Sequence, residues 1–157
     1  MNDPRAAPAT DASKARLRLW LRLLKATRMI EADLRERLRI SHDSTLPRFD
    51  VMAALYRAER GLKMSELSSA LRVSNGNVTG IVDRLVADGQ IERVPVEKDR
   101  RATVVRLTDK GQRDFTRQAE DHEAWINCLL EGISGAQAEK LAAQLRTLAD
   151  SIDRKAG

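Results

Sequence analysis

Apolar positions along this chain recur at intervals of three and four. From Ser13 to about Ile40, Leu17, Trp20, Leu21, Leu24, Ile30, Leu34 and Leu38 form one helical stripe. The stretch "SHDSTLPRFD" breaks it, and Pro47 suits the first turn of a second helix. That helix carries Phe49, Val51, Met52, Leu55 and Tyr56 and is expected to end near Gly61. Towards the C-terminus, Phe115, Ala119, His122, Ile126 and Leu129 step by 4, 3, 4 and 3, and Leu141, Leu145, Leu148 and Ile152 by 4, 3 and 4. Both are heptad-like seams. They are joined by "EGISGAQ", in which Ser134 and Gln137 have the spacing of a capping box. Such stripes predict either an intramolecular bundle or, in preference, packing against a second copy of the chain.

The middle of the chain reads differently. In "KMSELSSALRVSNGNVTGIVDRLVADG", Ser65 is positioned as an N-cap, with Leu67, Ala70 and Leu71 on one face. "RVS" is a turn, and Ser74 caps a further helix whose Val78, Val82, Leu85 and Val86 face inward. This is helix–turn–helix spacing. Ile91–Val94 and Thr103–Leu107 have strand character and are joined by the charged tip "VEKDRR", which makes a wing. Thr108 then caps a helix beginning "DKGQRDF". The expected fold is mainly α with a small β-hairpin wing: a winged helix-turn-helix lobe plus a helical dimerisation lobe. The expected organisation is a disordered lead over 1–12, an N-terminal dimerisation helix over 13–45, a winged helix-turn-helix DNA-binding lobe over 46–108 and C-terminal dimerisation helices over 109–157.

The helix over 75–88 keeps Asn75, Gly76, Asn77, Thr79 and Gly80, all poor helix formers, and each glycine costs roughly 1 kcal/mol against alanine in a helix interior. With the valines inward, the outward set is Asn75, Asn77, Thr79, Gly80, Asp83 and Arg84. Asn can bond adenine bidentately, and Thr can meet a polar edge or a thymine methyl. Gly76 and Gly80 remove side chains that would hold the helix away from a groove floor. Ser74 and the helix N-terminus can meet a phosphate. The plain alternative is capping chemistry alone. In the wing over 95–102, Arg100 and Arg101 are either a soluble turn or groups for a narrow A·T-rich minor groove. Arg84, Arg93 and Lys98 suit phosphates.

Composition adds direction. The chain has 157 residues, a net charge of +5 and a pI near 9.8, which points to a polyanionic partner. The excess lies before residue 112; the remainder is net acidic. Five aromatic residues (Trp20, Phe49, Tyr56, Phe115, Trp125) are too few for a single-strand stacking platform. A lone Cys128 excludes an internal disulfide, fits a reducing cytoplasm and is expected as a buried helix residue. His42 and His122 alone offer little to a metal, so no cofactor and no enzyme activity are expected. No apolar run reaches the roughly 18 residues of a membrane span.

The block "LKMSELSSALRVSNGNVTGIVDRLVADGQIERVPVEKDRRATVVRLTDKG", with "VDRL", "DRRA" and the final "LTDKG", resembles the MarR family of bacterial transcription regulators. The resemblance implies a homodimer on an inverted repeat of double-stranded DNA, an Asp99–Arg101 ion pair supporting the wing, and release by a small aromatic effector. Larger side chains are common in the family at the Gly80 position. "TLPRFDVMAAL" and the block above are similar to a branch responding to hydroxycinnamates and other aromatic acids. There the effector can be a coenzyme A thioester, here a hydroxycinnamoyl-CoA, the alternative being a free aromatic acid or other phenolic. Lys14, Arg18, Arg22, Lys25 and Arg28, with Arg16 beside them, form a basic stripe on the first helix that suits a solvated face, DNA phosphates or the phosphates of an acyl-CoA. Trp20, Phe49, Met52 and Trp125 are candidate apolar walls, residues that more often are ordinary core. A different class, a winged-helix module for protein–protein assembly, would place exposed aromatics and aliphatics where this chain has Asn, Thr and Gly.

Overall fold

The computed structural model describes residues 10–72, 75–96 and 99–156, with the backbone alone at Asn75, Arg100, Arg101 and Ala156. The described elements run α1 (Asp11–His42), α2 (Leu46–Tyr56), β1 (Leu62–Lys63), α3 (Met64–Leu71), α4 (Asn75–Ala87), β2 (Ile91–Val96), β3 (Asp99–Leu107), α5 (Asp109–Leu129) and α6 (Gly135–Ala156). The strands form one antiparallel sheet in the order β1–β3–β2. The chain divides into two compact units, Met1–His122 and Glu123–Gly157.

Local chemistry explains most boundaries. Thr10 caps α1, its hydroxyl accepting from Ser13 N at 3.1 Å, and Thr45 caps α2 through Arg48 N at 3.3 Å. Pro47 sits in the first turn of α2. Asp43 ends α1 at φ 45°, with Ser44 N reaching back to Leu38 O at 3.2 Å. Thr108 accepts from Gly111 N at 3.0 Å, and the Ser134–Gln137 capping box is closed by bonds of 3.0 and 3.3 Å.

Four details depart from the sequence reading. α2 ends at Tyr56, not near Gly61; turns through Ala58 follow, and Gly61, at φ +83°, leads into β1. Ser65 is not an N-cap, because β1 runs straight into α3. Lys63 holds the cap position, its N–H bonded to Glu66 Oε2 at 2.7 Å, and Ser65 stands exposed in the first turn. On α3, Ala70 is exposed and Ser68 is buried instead, its hydroxyl donating to Met64 O at 3.0 Å. The hairpin strands are longer than expected, so Asp99, Arg100 and Arg101 lie on β3 instead of in a loop. Ser74 and Lys98 lie outside the described residues.

The core of the first unit gathers Leu34 and Leu38 of α1, Phe49, Val51, Met52 and Leu55 of α2, Leu67 of α3, Val78, Val82 and Leu85 of α4, Ile91, Val105 and Leu107 of the sheet, and Phe115 of α5. Phe115 packs on Phe49 and Tyr56 at ring-centroid distances of 5.4 and 5.0 Å. In the second unit, the α6 seam of Leu141, Leu145, Leu148 and Ile152 is 39–56% exposed in the single chain. Cys128 is exposed as well, which corrects its expected burial. It lies about 160° round the helix from Ile126 and about 100° from Leu129, off the seam.

Candidate nucleic-acid interface

α4 is built from two faces. Val78, Val82 and Leu85 have no exposed surface and fasten the helix to the body. Asn77, Thr79, Gly80, Asp83 and Arg84 are exposed along the other side. A Cβ added at Gly76 or Gly80 would meet nothing within 4 Å, so nothing among the described residues requires either glycine. Both positions face open space on the exposed side of α4.

The wing stands beside this helix. β2 and β3 pair from Ile91↔Leu107 to Pro95↔Thr103, with a register shift between Pro95 and Val96. Pro95 is tolerated because β2 is an edge strand. Glu92 and Arg106 form a cross-strand ion pair at 2.7 Å. Arg93, expected on phosphate from the sequence, pairs with Asp83 Oδ1, which braces β2 against the outer side of α4. Arg84 is exposed, 3.6 Å from Asp88. The Asp99–Arg101 pair implied by resemblance involves a side chain, that of Arg101, outside the described atoms.

Sequence reasoning missed a polar cluster behind α4. Asp88 and Gln90, at the α4–β2 junction, bond Arg48 of α2, and Gln90 bonds Asp114 of α5. Burial opposes ionisation of Asp114, yet hydrogen bonds from Gln90, Lys110 and Arg117 together hold its carboxyl below the usual carboxylate range. These residues lie 24 to 42 apart along the chain, so no local pattern links them. A polar Gln between Gly89 and the buried Ile91 was the available signal.

A second concavity, about 670 Å³, is lined by Phe49, Ala53, Ala54, Leu71 and His122, with Asp50 and Arg57 among its polar groups. His122 stacks on Phe49 with centroids 4.6 Å apart. Burial lowers the His122 pKa, with Asp50 opposing; burial and Glu31 raise that of Asp50. Of the residues expected to bind effector, Phe49 lines this concavity. Met52 is fully buried core and offers no surface to a ligand, which corrects its assignment. Trp20 is 56% exposed on α1, and Trp125 belongs to the other unit. Lys14, Arg18, Arg22, Lys25 and Arg28 are exposed along α1. Arg16 does not lie beside them: two residues from both Lys14 and Arg18, it points about 160° away from each. Among the described residues no group of three or more His, Cys, Asp or Glu could hold a metal ion, and no helix is long and apolar enough to cross a membrane.

A helix–turn–helix with an antiparallel wing defines the winged-helix class of folds. The MarR family description matches residues 42–102. A crystal structure of a MarR family transcriptional regulator from Silicibacter pomeroyi is 34% identical, covering 91% of this chain and 99% of that one, with a TM-score of 0.77. The chain belongs to the MarR family. A MarR family regulator from Streptomyces coelicolor, solved in complex with DNA, shares the fold at a TM-score of 0.78 and 21% identity, covering 96% of this chain and 92% of that one. Among curated relatives, the HTH-type transcriptional regulator PecS of Dickeya dadantii is 37% identical over 76 residues, 47% of this chain. The match spans 46% of PecS, and 61% of the regulator BilQ of Clostridium symbiosum. The family and these relatives are regulators of transcription, not enzymes.

Proposed function

We propose that the chain is a homodimeric, ligand-responsive transcriptional repressor that places α4 in the major groove and its wing in the minor groove of operator DNA. The observation that carries this reading is the two-faced α4: an inner face with no exposed surface, and an outer face of Asn77, Thr79 and Gly80 braced to the wing through Asp83–Arg93. Asn75, Asn77 and Thr79 are the proposed base readers. Ser65, Ser74, Arg84 and Lys98 are proposed for phosphates, Arg100 and Arg101 for the wing's contact, with Asp99 as its support. Arg93 joins them once Asp83 releases it. The exposed seam of α6 supports a partner copy, since a row of half-exposed leucines on a two-sided helix gains most by packing against its like. A protein–protein assembly module is the poorer reading, because the outer face of α4 carries no aromatic or aliphatic anchor.

The test is selection of binding sites from a random duplex pool, followed by footprinting. The expected product is an inverted repeat with half-site centres about one turn, roughly 10 bp, apart. A single half-site bound by a monomer refutes the dimeric reading.

The proposed effector is an aromatic acyl-CoA thioester such as a hydroxycinnamoyl-CoA, which releases the protein from DNA. The concavity at Phe49 and His122 offers an apolar slot for the aromatic acid. Arg18, Arg22, Lys25 and Arg28 offer charge to the nucleotide phosphates. A tenfold loss of DNA affinity needs about 1.4 kcal/mol of coupling. Calorimetry with the thioester and with the free acid decides between them. Equal affinity for both, or unchanged thioester affinity after charge removal at Arg18, Arg22 and Lys25, returns the stripe to a solvated face.

A further inference from the structure

The junction between α4 and the wing is held from both sides. Arg48, in the first turn of α2, is largely buried, its side chain 17% exposed. Its Nη2 donates to Asp88 Oδ2 and, at 3.2 Å, to Gln90 Oε1. Asp88 is the first residue after α4, and Gln90 the last before β2. Gln90 Nε2 donates on to Asp114 Oδ2 of α5 at 3.0 Å. Lys110 spans Asp88 O and Asp114 Oδ2, at 3.2 and 3.0 Å. The Gln90 backbone completes the knot: its N–H reaches Leu85 O at 2.9 Å, and its carbonyl accepts from Thr108 N at 3.1 Å. One residue thus joins the end of α4, the root of the wing, α2 and α5.

The fastening is needed because what surrounds it is permissive. Between Asp88 and Gln90 stands Gly89 at φ +72°, a residue with wide backbone freedom. The apolar contacts of Val78, Val82 and Leu85 are non-directional and do not by themselves fix tilt. Asn77 lies 11 residues before Asp88, about 16 Å along the helix at 1.5 Å per residue. A tilt of about 10° at the junction therefore moves Asn77 by about 3 Å, against the roughly 0.5 Å within which a binding constellation must be held.

We propose that Arg48 is a positioning residue for DNA reading: it touches no DNA, and by fixing Asp88 and Gln90 against α2 it sets the angle of α4 and the wing together. The inference rests on the DNA reading above. Arg48 sits at the end of α4 opposite Asn77; its Nη2 is engaged with Asp88 and Gln90, and its Nε is buried without a partner among the described residues, out of reach of a phosphate.

The test compares wild type, Arg48→Met, Asp88→Asn, the double variant and Arg48→Lys, all as full chains. Affinity is measured for the duplex selected from the random pool and for an unrelated duplex of equal length, across a salt series. Each single variant is expected to lose tenfold or more of its affinity for the selected duplex while holding the unrelated duplex within about threefold, which lowers the specificity ratio. The double variant is expected to be no worse than the poorer single one, because both remove one link. Arg48→Lys, which keeps the charge but not the fork to two acceptors, should recover part of the loss. Equal losses on both duplexes with a salt slope lower by about one identify Arg48 as a phosphate contact and overturn the proposal. A lower melting temperature with selected-duplex affinity intact makes it a structural residue only, and additive losses remove the coupling. Should Arg48→Met fail to fold, Asp88→Asn at a part-exposed position carries the same expectation. If wild type selects no sequence, the DNA reading itself fails and takes this inference with it. If wild type selects an operator that the variants still read, only this inference fails.

Discussion

Two glycines in helices make a contrast whose sign the structure fixes. A Cβ at Gly111, in the first turn of α5, would come 1.9 Å from Gln90 O and 2.8 Å from Gln90 C. Both are backbone atoms, and that carbonyl accepts from Thr108 N at 3.1 Å, so it cannot turn aside without losing a bond. Overpacking costs about 1–3 kcal/mol and sometimes more, and the displaced hydrogen bond about 1. Alanine's better helix propensity returns at most about 1. Gly111→Ala is therefore expected to lose at least about 2 kcal/mol. At Gly80, inside α4, an added Cβ meets nothing within 4 Å, so Gly80→Ala is expected to gain about 0.5–1 kcal/mol. In a domain of this size the pair should move the melting temperature in opposite directions, down by about 4–8 °C and up by about 1–4 °C. Urea denaturation at one fixed protein concentration, which holds any contribution from the proposed dimer constant, measures both. Gly111→Ala within about 0.5 kcal/mol of wild type would show that the α5–junction contact is misplaced, and Gly80→Ala equally harmful would show that the space around Gly80 is not open. The same Gly80→Ala should weaken operator binding, separating what the glycine does for the helix from what it does for the groove.

Asn77→Ala should lose about 1–3 kcal/mol of discrimination at one base pair, whereas Arg101→Ala should weaken all sequences alike and lower the salt slope if it meets phosphate; binding-site selection and salt titration separate the two. Leu145→Glu together with Leu148→Glu, on the exposed seam of α6, should convert a dimer to monomers in sedimentation, and an unchanged mass would remove the seam as an interface. Burial lowers the His122 pKa below its ordinary 6.5, so the unfolded chain binds the proton more readily. The stability this contributes is complete above pH 6.5 and falls as pH drops below it through the folded value. His122→Gln should flatten that limb of the stability-against-pH curve, and an unchanged slope would reassign the acid sensitivity to other groups.

The helical stripes, the caps at Thr108 and Ser134 and the inner face of α4 were legible because each is a local pattern: a period, or a side chain bonding a backbone group three residues away. The misplaced start of α3 depends on partners distant in sequence. β1 is two residues long and exists because Leu62 and Lys63 pair with Val105 and Val104; that pairing moved the start of α3 off Ser65. Met52 is by its type a candidate wall or ordinary core, and packing makes it core; Arg16, expected beside the basic stripe, is put on the other side by the helical period of α1.

Sequence alone determined that the chain makes long two-sided helices around a helix–turn–helix and wing, since apolar period, turn residues and caps act within a few positions of themselves. It also determined which small and amide side chains α4 turns outward, because the valines opposite them had to go in. Only the tertiary structure decided that Arg93 braces Asp83 and that Arg48, Asp88, Gln90 and Asp114 meet at the junction. Charged and amide groups can each find many partners in an unfolded chain. Which ones they hold is settled when the apolar faces close and exclude water, leaving each buried donor only the acceptors that the packed helices bring within about 3 Å.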